Sequence, residues 1–373
     1  MFLIPYNRLS EEQKGIVRRI SREHQNLFIE GPPGSGKTLI SLYVLRDMVE
    51  EGTVRPLLLM YNHSLYGYLS TAMQELEIAD NITIATKDKF FWDLAYNNDI
   101  RPDNSGGYEE KYNFLLRNLL QCNLNKTYDV TVVDEVQDLN PMEWVLIKRL
   151  SRRITSLGDF NQGIYETRLT KNEIVGQGLM ERLTKIFRFH KNIAKLAALF
   201  SRTNDDLEAK VTKLSQARPQ IIETSQSNEF QTIKDILISL KNIRQRIGII
   251  CPDRELLGDL ASYLSNQKIE YNYYVKNRDM RNHDFTTNTP LLITSYSSKG
   301  LEFEHVILYG FNKSSSMVYK LRNENRLKDV LYVSITRTNA NLYIIKTPDT
   351  IPEIANVDLF RNDVPESSND DWF

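Results

Sequence analysis

Residues 31–38 read GPPGSGKT, a Gly-x-x-x-x-Gly-Lys-Thr pattern, and no other stretch of the chain restricts its fold so tightly. Such a loop works only between a strand and a helix, because its backbone N–H groups must turn inward at a helix N-terminus. The flanks comply. Residues 26–30 (NLFIE) read as a strand, and 39–49 read as a helix. Gly31, Gly34, Ser35 and Gly36 are expected to form an anion cradle, Lys37 to reach the β- and γ-phosphates, and the Thr38 hydroxyl to ligate Mg²⁺. A chance match in a chain of this length is on the order of 1%.

A strand-loop-helix unit of this kind belongs to a mainly parallel sheet, and the remaining sequence repeats the theme. Apolar, β-branched runs near 26–30, 55–60, 81–85, 128–133 and 153–157 alternate with helical stretches. A second set follows near 221–223, 246–250, 291–294, 305–309 and 341–345. At about 150 residues per domain, 373 residues divide into two α/β halves. The boundary is expected inside 166–180, where the apolar pattern lapses around Gly176 and Gly178, giving domains 1–175 and 176–360. The end, 361–373, is acidic and short of apolar residues. It reads as disordered, or as a partner hook tipped by Trp372 and Phe373.

Composition excludes several classes. Cys122 and Cys251 are far apart and lie in no ligand spacing, which disfavours a disulfide framework or a structural zinc site and suggests a reducing, cytoplasmic compartment. No signal peptide is visible, and no apolar run approaches the roughly 20 residues of a membrane span. With 47 basic and 48 acidic residues the formal net charge is −1. Any polyanion must therefore meet a local basic lining rather than a globally basic surface.

The strand at 128–133 runs into DEVQD at 134–138. This is where a P-loop enzyme needs acidic groups: Asp134 to hold Mg²⁺ and Glu135 to polarise the attacking water. DEVQD downstream of the P-loop resembles the UvrD/Rep-type superfamily 1 helicases, and further motifs arrive in the family's order over roughly 9–345. LSEEQ at 9–13 resembles the glutamine motif that selects adenine, through Gln13. YNHSL at 61–65 and Thr86 resemble segments at the nucleic-acid surface, implicating Asn62 and His63. LGDFNQGIY at 157–165 is similar to the GDxxQxIY motif, with Gln162 sensing the γ-phosphate and Tyr165 facing nucleic acid. In the second half, IFR at 186–188 implies Phe187 stacking on adenine and Arg188 at the γ-phosphate. TSYSSKGLEF at 294–303 implies Thr294 and Tyr296 at the nucleic acid and Glu302 at the ribose, while LYVSITRT at 331–338 makes Arg337 a second arginine finger.

The resemblance implies two RecA-like P-loop domains with one ATP in the cleft between them, closing around the γ-phosphate and opening on hydrolysis. It also implies translocation on single-stranded nucleic acid, DNA in preference to RNA, 3′ to 5′. Four features depart from the family. Leu39 stands where an arginine covering the base is frequent, Thr167 where a stacking tryptophan is frequent, and Tyr296 where histidine is usual. The fourth is size, since only 87–127 is left for a reduced first accessory insertion, and between Arg188 and the KGLEF motif there is room for the second RecA core and little else. Phe90, Phe91 and Trp92 read mainly as packing, with base stacking as the alternative, and the basic run 276–281 as a solvated loop or a phosphate-contacting edge. Duplex unwinding is left open for a chain so reduced. The alternative function is a nucleic-acid-gated ATPase switch acting on a protein partner such as a nuclease in DNA repair or phage defence. A P-loop kinase fits neither DEVQD nor the second-half arginines.

Overall fold

The computed structural model describes residues 3–22, 25–61, 63–103, 105–160, 169–176, 178–203, 205–214, 217–274, 280, 283–284 and 287–355. The first half carries strands β1 (Leu27–Glu30), β2 (Pro56–Met60), β3 (Thr83–Thr86), β4 (Tyr128–Val133), β5 (Ser151–Gly158) and β6 (Leu179–Arg182). They lie in the order β3-β2-β4-β5-β1-β6, and every neighbouring pair is parallel. Helices α1 (Glu11–Arg22), α2 (Lys37–Glu50), α3 (His63–Glu75), α4 (Lys87–Asn97), α5 (Tyr108–Gln121) and α6 (Pro141–Leu150) cover them, with a short helix at Lys171–Val175.

Apolar runs such as PLLLM arise because both faces of a parallel sheet are buried, and the pleat sends successive residues to opposite sides. Leu58 and Met60 of β2 join a core with α1, α2 and α3, whereas Leu57 and Leu59 join a second core with α4, α5 and α6. The first half is therefore a three-layer sandwich.

After β7 (Ile186–His190) and β8 (Val211–Lys213), which pair with each other, the second half builds a six-stranded sheet. Its strands are β9 (Gln220–Glu223), β10 (Ile247–Cys251), β11 (Asn272–Tyr273), β12 (Leu291–Thr294), β13 (Phe303–Leu308) and β14 (Thr338–Lys346). The order is β11-β12-β10-β13-β14-β9, again parallel throughout. Ile249 and Cys251 face a core with helices Glu229–Leu240 and Arg254–Asn266, and Ile250 faces one with helix Leu327–Ile335. The two α/β halves are RecA-like, as anticipated.

One boundary needs correction. β6 pairs with β1, so the first sheet runs to Arg182, past the expected border at 175/176. Gly176, at φ 51, caps helix Lys171–Val175 and marks a turn inside the first half rather than a linker. β6 was illegible because an edge strand that is half-buried along most of its length carries little apolar periodicity. The polypeptide crosses after Leu183, whose N–H still bonds the Glu30 carbonyl at 2.8 Å. The tail at 361–373 and most of the basic run at 276–281 lie outside the described residues.

The segment 87–127 is not an appended module. Tyr112, Leu115, Leu116 and Leu119 of α5 pack with Phe90 and Phe91 of α4 in the sheet-covering core, so the phenylalanines serve packing. Lys87, nearly buried, bonds Glu143 Oε1 at 2.7 Å, and the Tyr112 hydroxyl donates to the same oxygen at 2.8 Å, tying both helices to α6. Truncating Leu115, which has no exposed surface, to alanine is expected to cost about 2–5 kcal/mol, read as a lower urea midpoint. A change under about 0.5 kcal/mol, the range of surface sites, would mark α5 as a detachable accessory.

Candidate active site in the cleft between the two halves

In a parallel sheet the carboxyl ends of all strands lie along one edge. Read along that edge of the first half, the strand order places Thr86 after β3, Tyr61 after β2, Asp134 after β4, Asp159 after β5 and the P-loop after β1. The phosphate loop and the acidic segment therefore stand one strand apart, with the expected nucleic-acid segments farther along the same edge.

The P-loop is drawn tight. Gly34 (φ 77) and Gly36 (φ 89) adopt left-handed backbone. A Cβ on Gly34 would sit 2.5 Å from Arg188 Cβ, and one on Gly36 the same distance from Gln13 Nε2. Lys37 is buried and bonds the carbonyls of Gly31 at 2.7 Å and Pro32 at 3.3 Å. Burial lowers its pKa, opposed by the carboxylates of Asp159, Glu135 and Asp134. Ser35 is fully buried, and its hydroxyl has no partner. Gln13 donates from Nε2 to the Ser35 carbonyl at 2.9 Å and accepts from Ser10 N–H at 2.9 Å. Each end of its amide keeps one further hydrogen-bonding position.

Thr38 donates to Asp134 Oδ2 at 2.9 Å. Burial, then the neighbouring Glu135 charge, pushes the Asp134 carboxyl up to about 6. Glu135 has left-handed backbone (φ 55), an unusual conformation for a side chain of its size. Burial would raise its pKa, but the ammonium groups of Lys299 and Lys37 and the Gln137 amide hold it at about 2. A hydroxyl and a carboxylate converging beside the loop are hard oxygen donors that suit Mg²⁺. No cluster of three or more His, Cys, Asp or Glu side chains able to hold a metal alone occurs among the described residues.

The second half closes the site. Phe187 N–H bonds the Gly34 carbonyl at 2.9 Å, joining β7 to the P-loop. Arg188 pairs with Glu302 and bonds the Thr336 carbonyl at 3.2 Å, leaving its buried Nε without a partner. Arg337, 1% exposed, bonds the Val333 carbonyl at 2.9 Å and the Thr336 hydroxyl at 3.1 Å. Burial, then Arg188, brings its pKa down to about 9. Between the halves lies a cavity of about 570 Å³, lined by Gln13, Gly34, Gly36, Lys37, Thr38 and Glu135 on one side and Phe187, Arg188, Glu302 and Arg337 on the other. Leu39 and Arg8 line it too. It is rich in cationic donors, and among the described residues two buried polar atoms of its lining, Arg188 Nε and Asn339 Oδ1, have no hydrogen-bond partner.

The residues expected at nucleic acid are less uniformly placed. Thr86, the last residue of β3, is 1% exposed. Thr294, half-buried at the end of β12, donates to Ser297 Oγ at 3.0 Å. Tyr296 is half-buried against the second-half core, with the Arg326 guanidinium 5.9 Å from its ring centroid. His63 begins α3, and Asn62, Gln162 and Tyr165 lie outside the described residues.

Residue patterns did not reveal the polar relay behind Glu135. Gln137 donates to Glu135 and accepts from Asp159 N–H at 3.2 Å, while Lys299 of the second half reaches Asp138 at 2.5 Å. All four names were on view within DEVQD, GDF and KGLEF. The Lys299–Asp138 pairing spans 161 residues, beyond any local periodicity.

Comparison with known proteins accords with this geometry. An AAA domain model matches residues 13–168, and the UvrD-like helicase C-terminal domain matches 97–349. A probable DNA helicase of Mycoplasma pneumoniae is 26% identical over 245 residues, covering 57% of this chain and 42% of its own length. The chain thus spans less than half of that curated relative. Among solved structures, the PRRSV helicase aligns with 89% of this chain and 54% of its own at 15% identity and a TM-score of 0.42. Arterivirus nonstructural protein 10, a helicase solved in complex with DNA, covers 88% and 62% at 14% identity and a TM-score of 0.41. With a family model matched over more than half of its length, the chain belongs to the UvrD-like superfamily 1 helicases.

Proposed function

We propose that the chain is an ATP-driven nucleic-acid motor that hydrolyses ATP with Mg²⁺ and moves 3′ to 5′ on single-stranded DNA. The observation that carries this reading is the single cavity faced by Lys37 and Glu135 from one half and by Arg188 and Arg337 from the other. Phosphoryl transfer needs positioning and charge stabilisation more than covalent chemistry. Cations converging from two movable bodies supply both, and they make hydrolysis depend on closure.

In this reading the P-loop N–H groups and Lys37 hold the β- and γ-phosphates. The two open positions of the Gln13 amide read the adenine edge, and Phe187, 38% exposed, stacks on its face. Thr38 and Asp134 would hold Mg²⁺, which when bound supplies charge neutralisation at the phosphates. Glu135 accepts the proton of the attacking water, with Gln162 at the γ-phosphate. Arg188 now faces Glu302. A γ-phosphate offers it a better partner, and the released Glu302 carboxylate is then available to the ribose. The carboxyl-edge segments around Asn62, His63 and Thr86, with Tyr165, Thr294 and Tyr296, form the track.

That the curated relative is a probable DNA helicase supports DNA over RNA. A nucleic-acid-gated switch serving a protein partner such as a nuclease is the second reading. It is favoured by α4 and α5, whose apolar faces are spent in the first-half core rather than in a separate module. Strand displacement on tailed duplexes decides between them: displacement requiring a 3′ tail supports the motor, and DNA-stimulated hydrolysis without displacement supports the switch.

Lys37→Ala is expected to abolish turnover. Glu135→Gln should lower kcat by about 10²–10⁴, as loss of a general base does, with ATP binding retained; a near wild-type kcat would remove Glu135 from that role. Arg337→Ala should cost about 10³-fold or more in kcat, and a loss below about tenfold in steady-state assays would exclude it as a finger.

No helix among the described residues is long and apolar enough to cross a membrane.

A further inference from the structure

The buried connection at 295–302 joins the nucleic-acid side of the second half to its ATP side. Thr294 ends β12 and Phe303 opens β13, and both strands run parallel to β10 between them. The connection must therefore travel from the carboxyl edge of the sheet to the amino edge. It is built as successive tight turns: Ser297 N–H bonds Thr294 Oγ1 at 3.2 Å, Ser298 N–H the Thr294 carbonyl at 2.9 Å, and Leu301 N–H the Ser298 carbonyl at 3.0 Å. Ser295, Ser298 and Lys299 are almost wholly enclosed. A displacement at Thr294 has little slack to absorb it before Lys299.

Lys299 leaves this connection and enters the other half. Its ammonium lies 2.5 Å from Asp138 Oδ2 and 3.5 Å from Glu135 Oε2, and it is 2% exposed. The two carboxylates are buried side by side, and Asp138 Oδ1 has no hydrogen-bond partner. Gln137 then links Glu135 to the Asp159 backbone. The direction of the Glu135 carboxylate is thereby fixed from both sides of the cleft.

We propose that Lys299 is a positioning residue that couples the nucleic-acid side of the second half to hydrolysis, by bridging to Asp138 and Glu135 and holding the Glu135 carboxylate in its productive direction. The inference rests on the functional reading above, in which Thr294 faces nucleic acid and Glu135 is the base. Lys299 is not among the residues lining the cavity, so in this proposal it acts through Glu135.

Two measurements on the full chain test it. In the first, ATP hydrolysis is followed with saturating oligo-dT. Lys299→Met is expected to lower kcat at least 20-fold while KM for ATP changes less than threefold, and Lys299→Arg to stay within about fivefold of wild type. Adding Asp138→Asn to Lys299→Met removes the stranded carboxylate and should recover thermal stability without recovering kcat. In the second, spin labels at Phe114→Cys and Ile238→Cys, on exposed positions of the two halves and in a Cys122→Ser background, report the distance between halves. The wild-type distribution should be narrow, and Lys299→Met should broaden or lengthen it. Recovery of kcat together with stability in the double variant would reduce Lys299 to a neutralising counter-ion and overturn the proposal. So would a Lys299→Met enzyme within twofold of wild-type kcat, or an unchanged distance distribution. If wild type turns over no ATP, the functional reading fails instead, and the spin-label distance still decides whether the bridge exists.

Discussion

One sheet cannot enclose a triphosphate. Its carboxyl edge supplies backbone donors, one lysine and two carboxylates, all on the same side of the ligand, and the opposite side must come from another body. The rest of this structure follows from that constraint. Phe187 docks against the P-loop carbonyl of Gly34, Arg188 and Arg337 reach the cavity from beyond β6, and Lys299 crosses into the acidic segment. Each contact joins groups that are charged, strongly polar or held in unusual backbone, and each is of little use if the halves separate. Burying this many charges is costly unless they meet partners. The cleft meets that requirement internally, Arg188 with Glu302 and Lys299 with Asp138 and Glu135, until a nucleotide offers alternatives.

The strand order explains why the phosphate loop, the acidic segment and the segments expected at nucleic acid share one edge. With β5 alone between β4 and β1, Asp134 and Lys37 meet beside Thr38, while β2 and β3 carry Tyr61 and Thr86 away along the same edge. Distance between the ATP and the expected track is thus set by sheet order. In the second half the separation is larger, since Thr294 and Glu302 belong to opposite edges and 295–302 bridges them.

Much of this was legible in the residues. Runs such as PLLLM and YDVTVV announce strands buried on both faces, and β4 was placed correctly at both ends because DEVQD follows it at once. β6 was missed because an edge strand with a half-exposed pattern lacks the apolar signature, and the domain border slipped with it. α5 read as an amphipathic helix, but nothing local could tell that its apolar face covers the first sheet rather than a separate insertion. In the site, the P-loop and DEVQD are local motifs and were readable. Lys299 with Asp138 and Arg188 with Glu302 are pairings between distant segments, decided by packing. The strand expected at 81–85 proves to run from Thr83 to Thr86, which is buried at its end.

The account depends most on one ATP being held by both halves at once. Hydrogen exchange of the full chain with and without a non-hydrolysable ATP analogue and Mg²⁺ measures this directly. Simultaneous protection is predicted in peptides covering 31–38 and 134–138 and in those covering 186–188, 299–302 and 336–338. Protection confined to the first half, with the second-half peptides exchanging as they do in the free protein, would contradict it.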